Sequence, residues 1–282
     1  GECMDYLGAK TFLSICKTGT FGAAAEALHI TQTAVTARIK TLEKELQCSL
    51  FVRNKSGAKL TKHGEHFKSY AVQIVQTWQA VKRDLPLPVE SKASLAVGVD
   101  LTLWNPLAAK WLGELNKNAP DLALNLEVDD SKSLSEKVCS GGIDAALVHQ
   151  PEYNSNTLVE HLLDEKLVRI QAKEKSEPYL NVDWGDEYRK LHDAALPELA
   201  RSNISVSLGP VALQFILRSG GSGYFRTRVI NRHLKNGVIE LTPNAPQFSY
   251  PVYLICSAQK NIDIDQLKQQ LIKVFEVSDD WF

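Results

Sequence analysis

The chain has 282 residues, 44% of them apolar, and 32 Lys and Arg against 33 Asp and Glu, a formal net charge of −1. That length favours about two domains, the apolar share suffices for packed cores, and no apolar stretch approaches the roughly 20 residues of a membrane-spanning helix. Five cysteines, odd in number, scattered and without a C-x-x-C pair, argue against a disulfide scaffold and fit reduced thiols in a cytoplasmic protein that needs no cofactor.

Residues 4–18 alternate polar and apolar groups, unlike the cationic start and apolar block of a signal peptide. Phe21, Ala24, Ala25 and Leu28 then share one face of a short helix, and Val35, Ile39, Leu42 and Leu46 one face of a longer one. Only His29, Ile30 and Thr31 separate the two patterns, so the helices must cross steeply over a tight turn. Thr31 is a suitable N-cap for the second. That helix exposes Gln32, Thr33, Thr36, Arg38 and Lys40, donors suited to base edges and phosphates. The pattern fits a helix-turn-helix and, taken alone, also an ordinary helical hairpin with a polar outer face.

Residues 49–62 favour the helix-turn-helix. Ser49 to Arg53 and Ala58 to Leu60 flank a basic turn of Asn54, Lys55, Ser56 and Gly57, as in a small hairpin or wing. Across residues 31–62 seven basic side chains face two acidic ones, Glu43 and Glu45. Residues 1–90 hold 12 Lys and Arg against 8 Asp and Glu, whereas residues 91–282 hold 20 against 25. A basic first unit on an acidic remainder is the polarity of a chain whose first domain alone meets phosphates. The DNA-facing set is Thr20, Thr31, Gln32, Thr33, Thr36, Arg38, Lys40, Arg53, Lys55 and Thr61.

Gly19-Thr20-Phe21, Ala24-Ala25, Leu28, Thr31-Gln32, Ala34-Val35-Thr36, Ile39, Leu42-Glu43, Leu50-Phe51, Arg53, Leu60-Thr61 and Gly64 resemble, at fixed spacing, the winged-helix domain of LysR-type transcriptional regulators. The resemblance implies a sequence-specific regulator that binds double-stranded promoter DNA and assembles as a dimer or tetramer. It also implies a small effector held between the lobes of a second domain. Members of that family begin where Met4-Asp5 stands, so Gly1-Glu2-Cys3 is expected to be an appended remnant. Residues 4–61 are then the DNA-binding domain, 62–90 a linker and dimerisation segment, and 91–282 the effector domain.

Thr61 can cap a helix running to about Leu85, where Pro86 and Pro88 stop it. Phe67, Ala71, Ile74, Trp78, Val81 and Leu85 form a heptad seam too narrow for a globular core face, which calls for a partner helix. Alternatively the seam lies on its own domain with Trp78 as the packing anchor. The resemblance independently implies a dimer through the linker helix.

From Ser94 the period changes. Residues 94–99, 122–128 and 143–148 read as strands, with helical patterns through Leu107–Leu115 and Leu134–Cys139, the latter closed by Gly141-Gly142. Such alternation implies a parallel sheet with helices on both faces, and ligands on such sheets sit outside the strand C-termini. The loops there carry Asp100, Leu101 and Thr102, Asp129 to Ser131, and His149 and Gln150. Thr102 either contacts a ligand or only caps the next helix.

A second lobe begins after Leu158, with Leu167–Ile170 as the first connecting strand, Val252–Cys256 as the return, and a helix from Ile264 to Val274 packing on the first lobe. Two lobes with two crossovers resemble the periplasmic-binding-protein-like effector domain of the same family: lobe I about 91–160 and 252–282, lobe II about 161–251. The fold expected is thus an N-terminal, mostly α winged helix-turn-helix, a long linker helix, and an α/β two-lobed domain. Its effector-facing set is Asp100, Leu101, Thr102, Ser131, His149, Gln150, Ser207, Gly209 and Gly221. Trp78-Gln79-Ala80, Leu103-Trp104, Trp111-Leu112-Gly113, Trp184-Gly185 and Pro251-Val252-Tyr253 resemble one branch of the family, repressors of a flagellar master operon. The second lobe is short for the family, and Arg218-Ser219-Gly220-Gly221 departs from the family's usual glycine loop.

No pattern supports an enzyme or a metal site. His63 and His66 share a helix face but have no third ligand nearby. Cys139 has no His or Asn signature, Asp129-Asp130 reads as a solvated pair, and Gly220-Gly221-Ser222-Gly223 lacks a phosphate-loop Lys. The rival from another class is a solute-binding or transport module with a nucleic-acid anchor, against which the missing signal peptide argues. The partners that the resemblance implies are DNA, a second copy and a small effector, and no membrane.

Overall fold

The computed structural model describes residues 6–54, 57–85, 91, 93–154, 156–258 and 263–276. Three helices, α1 (Tyr6–Thr18), α2 (Phe21–Leu28) and α3 (Gln32–Leu46), and a wing of β1 (Phe51–Asn54) and β2 (Gly57–Leu60) form the first unit. Phe12, Ile15, Phe21, Ala24, Val35, Ile39, Leu42 and Leu50 are its core, so the apolar faces expected of α2 and α3 pack against each other and α1, except Leu46, which is 41% exposed at the end of α3. Thr20 and Thr31 cap α2 and α3 by accepting the amides of Ala23 and Ala34 at 3.0 and 3.2 Å. Two further motif positions have local explanations. Glu43 Oε1 accepts the Leu50 and Phe51 amides at 2.7 and 3.2 Å, fixing the wing to α3. A Cβ on Gly64 would stand 2.2 Å from the Leu50 carbonyl oxygen, so no side chain fits there.

The linker helix α4 (Lys62–Asp84) is capped by Thr61, whose hydroxyl accepts the Gly64 amide at 3.0 Å and donates to the Ser49 carbonyl at 2.7 Å. The expected seam divides. Phe67, Ala71 and Ile74 pack into the first unit's own core, Phe67 edge-on to Phe12. Trp78 meets Tyr6 at 5.8 Å between ring centroids yet stays 43% exposed, and Val81 and Leu85 are exposed. The partner required by the lower half is thus α1 of the same chain. A seam read as one helix in isolation overlooks that neighbour.

The remainder is one mixed nine-stranded sheet ordered β4-β3-β5-β11-β6-β9-β7-β8, with β10 also on β6. The strands are β3 (Ala93–Asp100), β4 (Leu122–Asp129), β5 (Ala145–Val148), β6 (Thr157–Ala172), β7 (Tyr179–Val182), β8 (Ile204–Val206), β9 (Ser222–Arg226), β10 (Ile239–Leu241) and β11 (Phe248–Ser257). The helices are α5 (Trp104–Asn118), α6 (Ser131–Ser140), α7 (Asp186–Ala195), α8 (Gly209–Ser219), α9 (Thr227–Lys235) and α10 (Ile264–Glu276). Strands β3, β4 and β5 run parallel, as do β7, β8 and β9. The two sets are joined by β6 and β11, which pair antiparallel from Thr157↔Ser257 to Leu167↔Phe248 with a bulge at Val252/Tyr253. The first crossover therefore starts well before Leu167, at Thr157. Its two faces are both partly covered, which erases the alternation that marks a half-buried strand. The third strand begins at Ala145, and Asp144 just before it donates its amide to the Ala96 carbonyl at 2.7 Å while its side chain accepts the Ala96 amide at 2.8 Å.

Candidate nucleic-acid interface and ligand cleft

Gln32, Thr33 and Lys40 are exposed on α3 and Thr36 is half-buried beside them. At about 100° per residue these four lie in one sector of the helix. Arg38, two residues after Thr36, falls on the opposite flank, so it cannot reach the surface that Thr36 reaches. Arg53 lies on β1 opposite Ala58; Lys55 lies outside the described residues. Thr20, Thr31 and Thr61 hold helix N-termini, and their hydroxyls serve the fold first. A groove of Gly22, Ala25, Glu26, His29, Ile30, Thr31 and Gln32 runs between α2 and α3.

Between the two parallel strand sets lies a cleft of about 250 Å³, lined by Asp100, Leu101, Thr102, Asp130, Ser131, Lys132, His149, Gln150, Asp183, Trp184, Gly185 and Tyr250. Six of the nine residues expected from the sequence meet here: Asp100, Leu101, Thr102, Ser131, His149 and Gln150. Ser207, Gly209 and Gly221 do not line it. Gly209 lies behind the cleft wall, where a Cβ would stand 2.7 Å from the Trp184 ring. The Gly221 amide donates to the Lys175 carbonyl at 2.7 Å, and a Cβ there would meet Pro178 and Leu180. The chain reaches the cleft from lobe II at the end of β7, through Asp183, Trp184 and Gly185, and not at the glycine-rich loop. Trp184-Gly185 is visible as a motif, but nothing local marks it as a strand end.

The floor is a closed hydrogen-bond network. Asp100, 5% exposed, accepts through Oδ1 from the Thr102 amide at 2.7 Å and the Thr102 hydroxyl at 2.5 Å. Its Oδ2 accepts from the Ser131 hydroxyl. Ser131 Oγ in turn accepts the His149 and Gln150 amides at 3.3 and 3.4 Å. Thr102 therefore does not cap α5: its hydroxyl is committed to Asp100 and to the Tyr250 hydroxyl, which donates to it at 2.5 Å, and α5 has no side-chain cap. Burial, with the nearby Asp100 carboxylate, holds the Tyr250 phenol above its ordinary range, so it stays a donor. His149 stacks on Tyr250 with centroids 3.5 Å apart. Its Nδ1 lies 2.9 Å from the Pro251 carbonyl, which can only accept. The neutral ring therefore presents Nε2 as an acceptor. Burial pushes the His149 pKa below 6.5.

A buried ion pair stands behind this floor. Arg226 of β9, fully buried, meets Glu165 of β6 at 2.8 Å and donates to the Thr102 carbonyl at 2.5 Å. Arg228 adds a 3.4 Å contact to Glu165. Helix α6 links the cleft to the first unit. Asp130, its N-cap, accepts the Ser133 amide at 2.9 Å beside the cleft. At its other end, about 15 Å away, Gln76 of α4 donates to the Cys139 carbonyl, and Glu136 meets Lys17 of α1 at 2.7 Å. Gly141 closes the helix at φ 75°, where a Cβ would lie 2.8 Å from Gln76 Cα.

The other sequence candidates stay apart from any site. His63 and His66 are exposed on α4. Asp129 is held down to about 2 by the Ser133 hydroxyl, Lys137 and the Asp130 amide, a helix-start contact. Burial raises the Cys139 thiol, the wrong direction for a nucleophile. Among the described residues no group of three His, Cys, Asp or Glu could hold a metal, and no helix is long and apolar enough to cross a membrane.

Comparison with known proteins agrees with this architecture at both ends. Residues 8–65 match the model described as bacterial regulatory helix-turn-helix protein, lysR family, and residues 90–271 match the LysR substrate binding domain. The chain is 27% identical to the HTH-type transcriptional regulator HdfR of Yersinia enterocolitica, and 26% to that of Yersinia pestis, over 96% of each chain. Among solved structures, full-length LysG of Corynebacterium glutamicum with bound effector Arg shares the fold with a TM-score of 0.59 at 20% identity, over 96% of this chain and 98% of that one. A full-length OxyR variant from Pseudomonas aeruginosa gives 0.56 at 21%, over 99% and 97%. A winged helix-turn-helix, a linker helix and a two-lobed domain around a polar cleft occur together here, and the two family models cover both parts: the chain belongs to the LysR family of DNA-binding transcriptional regulators and carries that family's effector-binding domain.

Proposed function

We propose that this regulator reads the major groove with Gln32, Thr33 and Thr36, holds phosphates with Lys40 beside them and with Arg38 on the opposite flank of α3, and places Arg53 and Lys55 of the wing on the neighbouring backbone or minor groove. Two copies meet through the upper part of α4, where Trp78, Val81 and Leu85 stay exposed, and the sensor domains can pair dimers into a tetramer. The promoter of a flagellar master operon, the target implied by the branch resemblance and consistent with the HdfR relatives, is the first DNA to try. A small molecule in the cleft biases the arrangement of the DNA-binding domains, which requires unequal affinity for the two arrangements. No step of this reading calls for catalysis.

The observation that carries it is the run of α6, one rigid helix with its first turn in the cleft and its last turn against α4 and α1. Movement at Ser131 is thereby delivered to the linker helix. A metabolite screen by thermal shift, followed by footprinting of each hit on wild type and Gln76→Ala, tests it. A hit that alters the wild-type footprint and alters it less in Gln76→Ala supports the route. A ligand-dependent footprint identical in both proteins removes α6 from it.

A further inference from the structure

Three donors of the cleft floor are already taken by the protein's own carboxylate. The Thr102 amide, the Thr102 hydroxyl and the Ser131 hydroxyl all point at Asp100, in the place where an anionic ligand would find them. Asp100 keeps lone-pair capacity, since a carboxylate offers about four acceptor sites. The buried cation behind the floor, Arg226, is bound to Glu165. The rest of the lining continues the pattern. Asp130 uses one oxygen as a helix cap. Asp183 is matched by Arg189 at 3.0 Å. Lys132 is the single cationic side chain among the lining residues.

A second observation is independent of the carboxylates. His149 is more than nine-tenths buried yet lines the cleft. Its Nδ1 proton is committed to the Pro251 carbonyl, which leaves Nε2 as an acceptor in need of a donor. Trp184 and Tyr250 border the same wall, packed edge to face with centroids 5.6 Å apart.

We infer that the cleft selects a small organic cation, an amine or guanidinium compound, which donates to Asp100 Oδ2 and His149 Nε2. This rests on the reading of the cleft as the effector site and names the class of effector. A carboxylate ligand would instead face the Asp100 carboxylate, with Lys132 and the Gln150 side-chain amide as the remaining donors of the lining.

Calorimetric titration of the full chain with 1,4-diaminobutane, agmatine and L-arginine amide, against succinate, glutarate and N-acetylglycine at matched ionic strength, tests the inference. At least one cation is expected to bind saturably and the acids not at all. Asp100→Asn, of the same shape, should weaken that cation at least tenfold. Lys132→Gln, a surface change that leaves folding intact, should tighten it two- to fivefold. The inference is overturned if the cation binds Asp100→Asn as it binds wild type, if Lys132→Gln weakens it, or if none of the six binds. Saturable binding of an acid, competed by substitutions in the cleft, overturns the ligand class while leaving the cleft as the effector site.

Discussion

The side-chain amide of Gln76 donates to the carbonyl of Cys139, joining the linker helix to the last turn of α6. Because α6 starts in the cleft, this contact ties the sensor to the DNA-binding unit within one chain. Gly141 sits against the same glutamine at a positive φ. Gly141→Ala therefore combines backbone strain of about 1 kcal/mol or more with a clash against Gln76 Cα. Faster amide exchange in the upper half of α4, with DNA-binding helices α2 and α3 unchanged, is the expected outcome of hydrogen–deuterium exchange. Unchanged exchange in α4 would mean that the contact does not hold the two units together.

Substitutions on α3 and the wing should separate by type. Thr36→Ala or Gln32→Ala should cost about 1–3 kcal/mol at particular base positions, whereas Arg53→Ala or Lys40→Ala should weaken all sequences alike and lower the salt slope by about one. Gel-shift titrations across salt concentrations and point-mutated duplexes distinguish these outcomes.

The Glu165–Arg226 pair makes a sharp stability test. Glu165→Gln leaves Arg226 buried without its counter-charge, a change of about 3–5 kcal/mol. Urea unfolding followed by tryptophan fluorescence should show it. A loss below about 1 kcal/mol would mean that water reaches Arg226 and replaces the missing carboxylate.

His149 gives the cleft a pH signature. Its folded pKa lies below 6.5 because burial disfavours the charged ring. Above pH 6.5 both folded and unfolded chains hold it neutral. As pH falls through 6.5, the unfolded chain binds a proton that the folded chain refuses, so stability falls. His149→Gln should flatten the melting temperature between about pH 7 and 5 relative to wild type, after which the remaining slope belongs to the other histidines.

Assembly should depend on the upper part of α4. Leu85, 80% exposed, is open to a partner, whereas Ile74 packs into its own domain. Leu85→Asp should shift sedimentation towards smaller species without unfolding the chain. Ile74→Asp would unfold the first unit and report nothing about the dimer.

The DNA-binding unit is largely legible in the sequence because its information is local. Caps, the turn between α2 and α3, and apolar spacing all act within a few residues, and Thr31 and Thr61 cap the helices that their positions imply. The linker is half legible: periodicity reveals the seam, but not that Phe67, Ala71 and Ile74 meet α1 from another part of the chain. In the effector domain the three parallel strands of lobe I stand out as apolar runs. Lobe II's contribution does not, because Asp183, Trp184 and Gly185 become cleft residues only when β7 is laid beside β9. Thr102 reads locally as a possible cap, since its partner Tyr250 is 148 residues away.

Selection of duplexes from a random pool by the full chain tests the central claim most directly. Enrichment of a partly symmetric site with half-sites one or more helical turns apart, lost or altered at defined base positions in Thr36→Ala and Gln32→Ala, is the result expected from α3 as the reading helix. An unenriched pool, or the same site selected with unchanged affinity by both variants, would contradict it.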